Sequence, residues 1–372
     1  MKRMTSVASL SVIVMLVAQG FLSPVAAQSD QKKDEKKKKT EPFKIERITQ
    51  GMGLYNFGPV SPDGKSLLLI AQKPDQTPNL YLMNLADLSI RPPLTNLRWG
   101  VTDPAWSPDG LSVAFAGMDE NGTFSEIYTL ELKSGKLRRL TANSFADKQP
   151  VFAPDGKRLF YTTDESPLPD AAFGILHIAV VSATGGKGEY FTEDEPSSIM
   201  PQVAADGKSL LLVKVNEDSG RHSLWQYGFD GKPQRDLTER KFARIIRYIP
   251  RQDFIVLCAQ EEPEQQESIY ILDLKTREVR SLPAWDSAMR SPALSPDGRL
   301  IAFISPAETG FQLYVYDTSS GQIQQLTYKG FNNYSPVFIA NDRIVFGSDR
   351  DREKEIYAVS LSAPVEEEKK KK

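Results

Sequence analysis

The chain has 372 residues, of which 40% are hydrophobic, so it can bury a sizeable core. Its formal net charge is −2, and charges of both signs are spread along it, which argues against the basic face of a nucleic-acid-binding protein. A single cysteine, Cys258, excludes an internal disulfide, and two histidines supply few ligands for a transition metal.

Residues 1–27 have the composition of a secretory signal peptide. Lys2 and Arg3 give a positive start, and the apolar run 7–22 is too short for a comfortable membrane span. Small residues lead up to a predicted cleavage after Ala27. We therefore expect a periplasmic or extracellular protein with no membrane span after cleavage.

Two charged segments flank the central part of the chain. Residues 28–42 are rich in lysine and poor in apolar side chains, which predicts a disordered tether. Residues 364–372 have the same character and predict a disordered charged tail. The segment 43–363 between them is the expected folded domain.

A Ser-Pro-Asp-Gly turn at residues 107–110 recurs along this central segment. Proline presets the first central position of such a turn, and glycine takes the left-handed position that lets the chain re-enter a strand. The copies recur about every 46 residues, a spacing typical of a propeller blade. The column of turn prolines and their replacements reads Pro62, Pro108, Pro154, Ala205, Pro250, Pro296 and Ala340.

Each repeat contains the pattern of four short strands. In the second copy an inner strand precedes the turn, Val113–Ala116 follows it, 127–132 reads as a third strand, and 137–141 is an outer strand ending in Leu-Thr. The sequence thus predicts an all-β, closed β-propeller of four-stranded blades. Seven turn positions predict seven blades.

Some copies are degenerate. The fifth keeps only Pro250 of its turn motif, so six blades plus an irregular segment is the alternative. An insertion near 166–173 in the third repeat predicts a protruding hairpin loop.

The two ends of the central segment predict how the ring closes. Residues 43–49 resemble an outer strand ending in Ile-Thr, yet they stand before the first inner strand. Residues 356–361 resemble a third strand with no outer strand after it. We predict that the N-terminal strand completes the last blade, because closure removes exposed strand edges.

These repeats are similar to a known family. The units 103–110 and 291–298, and Gly-Ser-Asp-Arg at 347–350 before 356–357, resemble the repeats of TolB-like propellers, which carry WD40-like Pro-Asp motifs. The resemblance implies an envelope protein or peptide as partner and a Tol–Pal-like role. Propellers that cap prolyl oligopeptidase-type peptidases and oligogalacturonide lyases have similar repeats.

The resemblance has a limit at the N-terminus. TolB itself carries an α/β domain before a six-bladed propeller. Between Ala27 and Phe43 this sequence leaves no room for such a domain, and it counts seven blades.

A search for catalytic patterns yields none. The Gly-x-Ser-x-Gly nucleophile elbow is absent, as is an α/β-hydrolase domain after the repeats. We expect His177 and His222 to be ordinary blade residues, residues 119–122 to form a hairpin turn instead of a calcium loop, and Cys258 to lie in the core. The sequence therefore predicts no enzymatic activity, no cofactor and no metal.

The connections from each Leu-Thr to the next inner strand carry aromatic and cationic side chains. Such residues are enriched in binding hot spots, although each aromatic could instead pack between blades. We predict a binding face for a protein or peptide around the central channel of a monomeric, non-enzymatic scaffold. The alternative is a carbohydrate-binding or polysaccharide lyase or hydrolase-type propeller that uses the channel. The predicted binding residues are Tyr55, Trp99, Phe145, Arg244, Trp285, Arg290, Phe331 and Tyr334.

Overall fold

The computed structural model describes residues 43–73, 76–165, 176–192, 197–216, 218–239, 242–283, 285–328 and 330–364. The predicted signal peptide, the tether, the hairpin loop at 166–173 and residues 365–372 of the tail lie outside these stretches.

Seven antiparallel sheets are arranged in a ring, and we number them as blades 1 to 7 in chain order. The first strand of the chain is β1 (Phe43–Arg47). Blade 1 contains β2 (Leu54–Val60), β3 (Ser66–Ala71) and β4 (Asn79–Asn84). Blade 2 contains β5 (Val101–Trp106), β6 (Ser112–Met118), β7 (Ser125–Glu131) and β8 (Leu137–Arg139). Blade 3 contains β9 (Asp147–Phe152), β10 (Arg158–Thr163), β11 (His177–Ser182) and β12 (Glu189–Tyr190).

The remaining four blades follow the same order. Blade 4 contains β13 (Ser198–Val203), β14 (Leu210–Val215), β15 (His222–Tyr227) and β16 (Pro233–Asp236). Blade 5 contains β17 (Arg244–Pro250), β18 (Phe254–Gln260), β19 (Ser268–Asp273) and β20 (Val279–Ser281). Blade 6 contains β21 (Arg290–Leu294), β22 (Leu300–Ala307), β23 (Gly310–Asp317) and β24 (Ile323–Gln325). Blade 7 contains β25 (Asn333–Ala340), β26 (Arg343–Ser348) and β27 (Glu355–Pro364).

The N-terminal strand closes the ring as predicted. β1 pairs antiparallel with β27 and forms the outer edge of blade 7, with Phe43 opposite Pro364 and Arg47 opposite Tyr357. The all-β fold, the seven blades and the closure are confirmed, and the six-blade alternative is wrong.

Blade 1 has an irregular outer edge. Its sheet has three strands, and the segment after β4 joins it through one bridge, between Met83 and Ile90, and single backbone hydrogen bonds. Pro92 and Pro93 occupy this segment. Because proline has no amide hydrogen to donate, a regular fourth strand cannot form there.

The repeated turn works through its serine. In blade 2 the Ser107 hydroxyl donates to Asp109 Oδ1 at 2.6 Å and accepts from the Ser112 amide at 2.9 Å, while Gly110 has a φ of 70°. Blade 5 differs from the prediction. Pro250 ends strand β17, and the chain turns at residues 252–253, where the Arg251 amide donates to the Phe254 carbonyl. This two-residue turn is shorter than the Ser-Pro-Asp-Gly turn, so Pro250 is not equivalent to Pro108; blade 7 has a turn of the same short length between Ala340 and Arg343.

Most inner strands contain a bulge at an X-Pro pair. The residue before proline has φ between 49° and 57° in five blades, and the ladder register shifts at each of these pairs. Proline donates nothing to the ladder, so an unpaired bulge accommodates it. The five residues are Asp103, Gln149, Met200, Ser291 and Ser335.

The bulges also connect neighbouring blades. Gln149 Oε1 of blade 3 accepts from the Met200 amide of blade 4 at 3.1 Å, and the Met200 carbonyl accepts from the Tyr248 hydroxyl of blade 5. Apolar clusters fill the spaces between adjacent sheets; for example, Leu68 of blade 1 and Phe115 of blade 2 belong to one buried cluster.

In six of the seven blades a threonine at the end of the outer segment fastens that segment to the third strand, and blade 5 has Pro283 instead. Thr141 Oγ1 accepts from the Ile127 amide at 2.9 Å and donates to Glu126 Oε2 at 2.7 Å. A threonine hydroxyl accepts from the corresponding third-strand amide in five further blades. These threonines are Thr49, Thr95, Thr192, Thr238 and Thr327.

Candidate functional site

Two sets of connections form one end of the ring, which we call the upper face. One set links each outer strand to the next inner strand. The other consists of hairpins between second and third strands, which open at the same end because consecutive strands are antiparallel. The sequence-based site considered only the first set.

The predicted residues do not all lie on this surface. Tyr55 lies in β2, and its side chain is outside the description. Trp285 packs against Phe303 and Tyr314, and its Nε1 donates to Ser305 Oγ at 2.7 Å. Trp285 therefore contributes mainly to the core.

Tyr334 is also largely internal. Its ring lies so close to Gly347 that a Cβ there would come within 2.1 Å of it. Its hydroxyl is buried with no hydrogen-bond partner among the described residues, and burial raises its pKa.

Trp99 is an exposed aromatic of the upper face. Its side chain is 45% exposed and packs over Gly122 in the hairpin of blade 2. Trp99 Nε1 donates to the Glu120 carbonyl at 3.2 Å, and the Arg98 guanidinium lies 4.9 Å from the ring centroid.

A second aromatic and cationic cluster lies where blades 6 and 7 meet. The Arg290 guanidinium lies 5.8 Å from the Phe311 ring centroid and its Nε lies 2.5 Å from Glu267 Oε2. The Arg350 guanidinium lies 5.9 Å from the Phe331 ring centroid. We call Arg290, Phe311, Phe331 and Arg350 the blade 6–7 cluster.

Phe311 and Arg350 of this cluster were missed by the sequence analysis. Phe311 follows the Thr309-Gly310 turn, and Arg350 lies in the hairpin after β26. The sequence contains the signals that could have predicted both residues. Turn-forming residues mark the two hairpins, and the antiparallel order of the strands places these hairpins on the upper face. Lys354, whose Nζ lies 5.8 Å from the Tyr334 ring centroid, comes from the same hairpin.

Phe145 lies in the connection before β9, and Arg244 is the first residue of β17. The amide following Arg244, that of Ile245, donates to His222 Nδ1 at 3.2 Å, and burial lowers the pKa of His222 to about 4, helped by the Arg244 charge. His222 is therefore neutral at pH 7. The described residues contain no group of three or more His, Cys, Asp or Glu side chains placed to hold a metal ion.

The channel wall carries charged side chains from the inner strands. Arg247 lies in the middle of β17 and its surface is accessible to solvent, but the surrounding protein partly desolvates the guanidinium and lowers its pKa. The side chain thus reaches solvent from within the ring, and it forms no ion pair with the described residues. On β5 the exposed Asp103 carboxylate accepts from Thr102 Oγ1 at 3.1 Å, and burial raises its pKa.

Arg247 occurs in an inner strand whose sequence departs from the repeat. The bulge of β17 contains no X-Pro pair, because its register shift falls between Ile245 and Arg247 while the proline of this strand, Pro250, is its last residue. Arg247 pairs with Cys258, the position at which Thr102 pairs with Ala116 in blade 2. An irregular copy in an otherwise regular fold is where a functional adaptation is expected.

The sequence matches the family described as the TolB beta propeller domain over residues 58–264 and 261–368. The chain belongs to this family. Among curated relatives, it is 30% identical over 214 residues to the Tol-Pal system protein TolB of Francisella tularensis subsp. holarctica, covering 57% of this chain and 47% of that protein. It is 24% identical over 197 residues to dipeptidyl-peptidase 5 of Porphyromonas gingivalis, covering 51% of this chain and 28% of the peptidase.

The propeller is also similar to solved structures. Oligogalacturonate lyase of Vibrio parahaemolyticus superposes with a TM-score of 0.63 at 18% identity, covering 86% of this chain and 93% of the lyase. At that identity the likeness concerns the fold. The chain spans less than half of the length of the curated relatives named above.

These relatives correct one prediction. The expectation that the chain is not an enzyme is wrong, because its curated relatives include a peptidase alongside TolB. The absence of a linear motif was a poor guide, since loops of several blades can supply the residues of a site on a propeller without any contiguous pattern.

One further result concerns membranes. The described part of the chain contains no helical segment whose length and hydropathy would let it span a bilayer.

Proposed function

We propose that this TolB-type propeller binds an acidic segment of an envelope protein or peptide at its upper face, next to the mouth of the central channel. The observation that carries the proposal is the blade 6–7 cluster, in which two guanidinium groups lie within 6 Å of two phenylalanine rings. Arginine beside aromatic side chains is the composition of binding hot spots.

The charge of the channel supports an acidic partner. Arg247 has no carboxylate partner among the described residues, and two further cations, Arg244 of the same strand and Lys148 of β9 in blade 3, are exposed near the start of an inner strand. A positive group in a confined space attracts anions more strongly than the same group on an open surface.

The proposal includes the cellular location of the protein. Residues 1–27 have the features of a secretory signal, and a TolB of the Tol-Pal system is among the relatives. We place the folded protein in the periplasm or outside the cell, acting as a monomer in a Tol–Pal-like role.

The test is photo-crosslinking in a cell-envelope extract, followed by mass spectrometry. The double variant Phe311→Ala/Phe331→Ala should lose the crosslinked partners that the wild type captures. Leu111→Ala is the matched control, because Leu111 is 63% exposed in the inner-strand turn at the opposite end of the ring. Equal capture by all three proteins would refute the assigned face.

A second measurement addresses the chemistry of the partner. Titration with N-acetylated hexaglutamate should show saturable binding that weakens as salt is raised. Saturable binding of trigalacturonate without binding of hexaglutamate would favour an acidic sugar and contradict the proposal.

A further inference from the structure

Two carboxyl groups are fully buried where blades 2 and 3 meet. Glu126 of β7 accepts from Arg139 Nη2 at 2.7 Å and from Thr141 Oγ1 at 2.7 Å. Asp147, the first residue of β9, accepts from Asn143 Nδ2 at 3.0 Å. Asp147 Oδ1 is buried without a hydrogen-bond partner among the described residues.

Another junction of the ring contains a neutral version of this arrangement. Between blades 6 and 7, Thr327 Oγ1 donates to Gln312 Oε1 at 2.7 Å, as Thr141 does to Glu126. Asn333, the first residue of β25, donates from Nδ2 to Thr327 Oγ1 at 3.0 Å. Asn333 thus occupies in blade 7 the position that Asp147 occupies in blade 3, and there it donates a hydrogen bond to the threonine of the preceding blade.

We propose that Asp147 holds a proton that sets the conformation of loop 142–146, and that this proton makes the upper face sensitive to pH. The proposal rests on the proposed function, because loop 142–146 carries Phe145. An ionised carboxylate cannot donate a hydrogen bond, whereas a protonated carboxyl supplies the donor that Asn333 supplies in blade 7.

The surrounding charges favour this location of the proton. The pKa of Asp147 is raised to about 7, mainly by burial and also by the negative charge of Glu126, against the effect of the Thr163 and Thr141 hydroxyls and the Asn143 amide. Of the two carboxyl groups, Glu126 is the one that has a cationic partner, with Arg139 Nη2 2.7 Å from its Oε1.

The other titratable groups around the junction include Asp119 and Tyr128 of blade 2, and Tyr161, Asp164, Glu165 and Tyr190 of blade 3. His177 of β11 lies opposite Thr163, which in turn lies opposite Asp147. Among the described residues, Asp147 forms no ion pair. Because two adjacent carboxylates resist double ionisation, the proton is retained on the unpaired one.

The same two carboxyl groups hold the loop. The Asn143 amide donates to Glu126 Oε1 at 3.0 Å while its side chain donates to Asp147. The Phe145 amide donates to Asn143 Oδ1 at 2.9 Å, so Asn143 links Phe145 to both carboxyls. Loss of the proton places a second negative charge next to Glu126, and we expect the loop to loosen.

The test combines thermal unfolding with hydrogen exchange of amides 143–146 at pH 5.5 and pH 8. With a pKa of about 7, the protonated fraction of Asp147 falls about tenfold between these values. After correction for intrinsic exchange rates, the wild-type loop should lose protection at pH 8. Asp147→Asn should keep the loop protected at both pH values, and Asp253→Asn, in the exposed turn of blade 5, should behave as wild type.

The outcomes separate the two proposals. Unchanged wild-type protection between the two pH values, or the same loss in Asp147→Asn, would overturn the pH switch. If protection changes as expected but partner capture is independent of pH, the link between the loop and the binding face is wrong. If capture does not depend on Phe311 and Phe331, the proposed function fails while the titration of Asp147 stands.

Discussion

Thr49 donates a hydrogen bond to the buried carboxylate of Glu355, 306 residues further along the chain. The same hydroxyl accepts from the Ile356 amide at 2.9 Å, and Arg47 Nη2 lies 3.2 Å from Glu355 Oε1. Blade 2 builds the same clasp from Thr141, Glu126 and Arg139 within one continuous blade. In blade 7 the clasp therefore fastens the two ends of the ring together.

Thr49→Val should weaken the closure of the ring. The change removes two hydrogen bonds and leaves the Glu355 carboxylate less satisfied, which we expect to lower the free energy of unfolding by about 1–3 kcal/mol. Denaturant unfolding measures the loss, and limited proteolysis within residues 43–53 measures the opening of the edge.

Thr327→Val is the matched control for this closure. It removes the equivalent hydroxyl from blade 6, whose outer strand is joined to the sheet by a short turn. Because Thr327 Oγ1 also accepts from Asn333 Nδ2, the change should cost at least as much free energy, but it should not expose the N-terminal strand to protease. Equal cleavage of 43–53 in both variants would refute the closing role of Thr49.

Asn333→Asp should give the junction of blades 6 and 7 a new dependence on pH. The buried carboxyl would have a pKa above its unfolded value of about 4, so the folded state would bind the extra proton. Its contribution to stability would be complete below about pH 4 and would fall as pH rises through the folded pKa. The melting temperature from pH 4 to pH 8 checks this, and Asn333→Ser, which mimics Ser198 of blade 4, should introduce no such slope.

Much of this architecture follows from the sequence because the repeat encodes it. The turn proline and glycine predict most of the inner hairpins, with serine before them in blades 1, 2 and 6, and the isolated Ile48-Thr49 pair predicts the closing strand. Blade 5 was misaligned at Pro250, since proline also fits the end of an inner strand. The sequence did not predict that Glu126 and Asp147 are buried near each other. These residues belong to different blades, and the linear pattern does not show which faces pack together.

The candidate site was harder to predict than the fold. The search of a single set of loops found Arg290 and Phe331 but missed Phe311 and Arg350. It also placed Trp285 among binding residues, although its neighbours are core aromatics. An aromatic in a connecting loop has the same sequence signature whether it packs inward or remains exposed.

Arg247→Gln should weaken the binding of acidic ligands without unfolding the protein. Its guanidinium has no carboxylate partner among the described residues, so its removal breaks no ion pair there. We expect about a tenfold loss in affinity for N-acetylated hexaglutamate, which corresponds to about 1.4 kcal/mol. Calorimetric titration at two salt concentrations measures it, and an unchanged affinity would exclude the channel arginine from binding.

Cys258 should be unreactive in the folded protein. It is 1% exposed in β18, and burial raises the pKa of its thiol to about 12. Since the thiolate is the reactive form, iodoacetamide at pH 8 should leave the native protein unlabelled and modify it fully in guanidinium chloride. Mass spectrometry of the intact chain measures the extent of labelling under native and denaturing conditions. Rapid labelling under native conditions would mean that β18 opens to solvent, and blade 5, with its irregular inner strand, would then be the weak point of the ring.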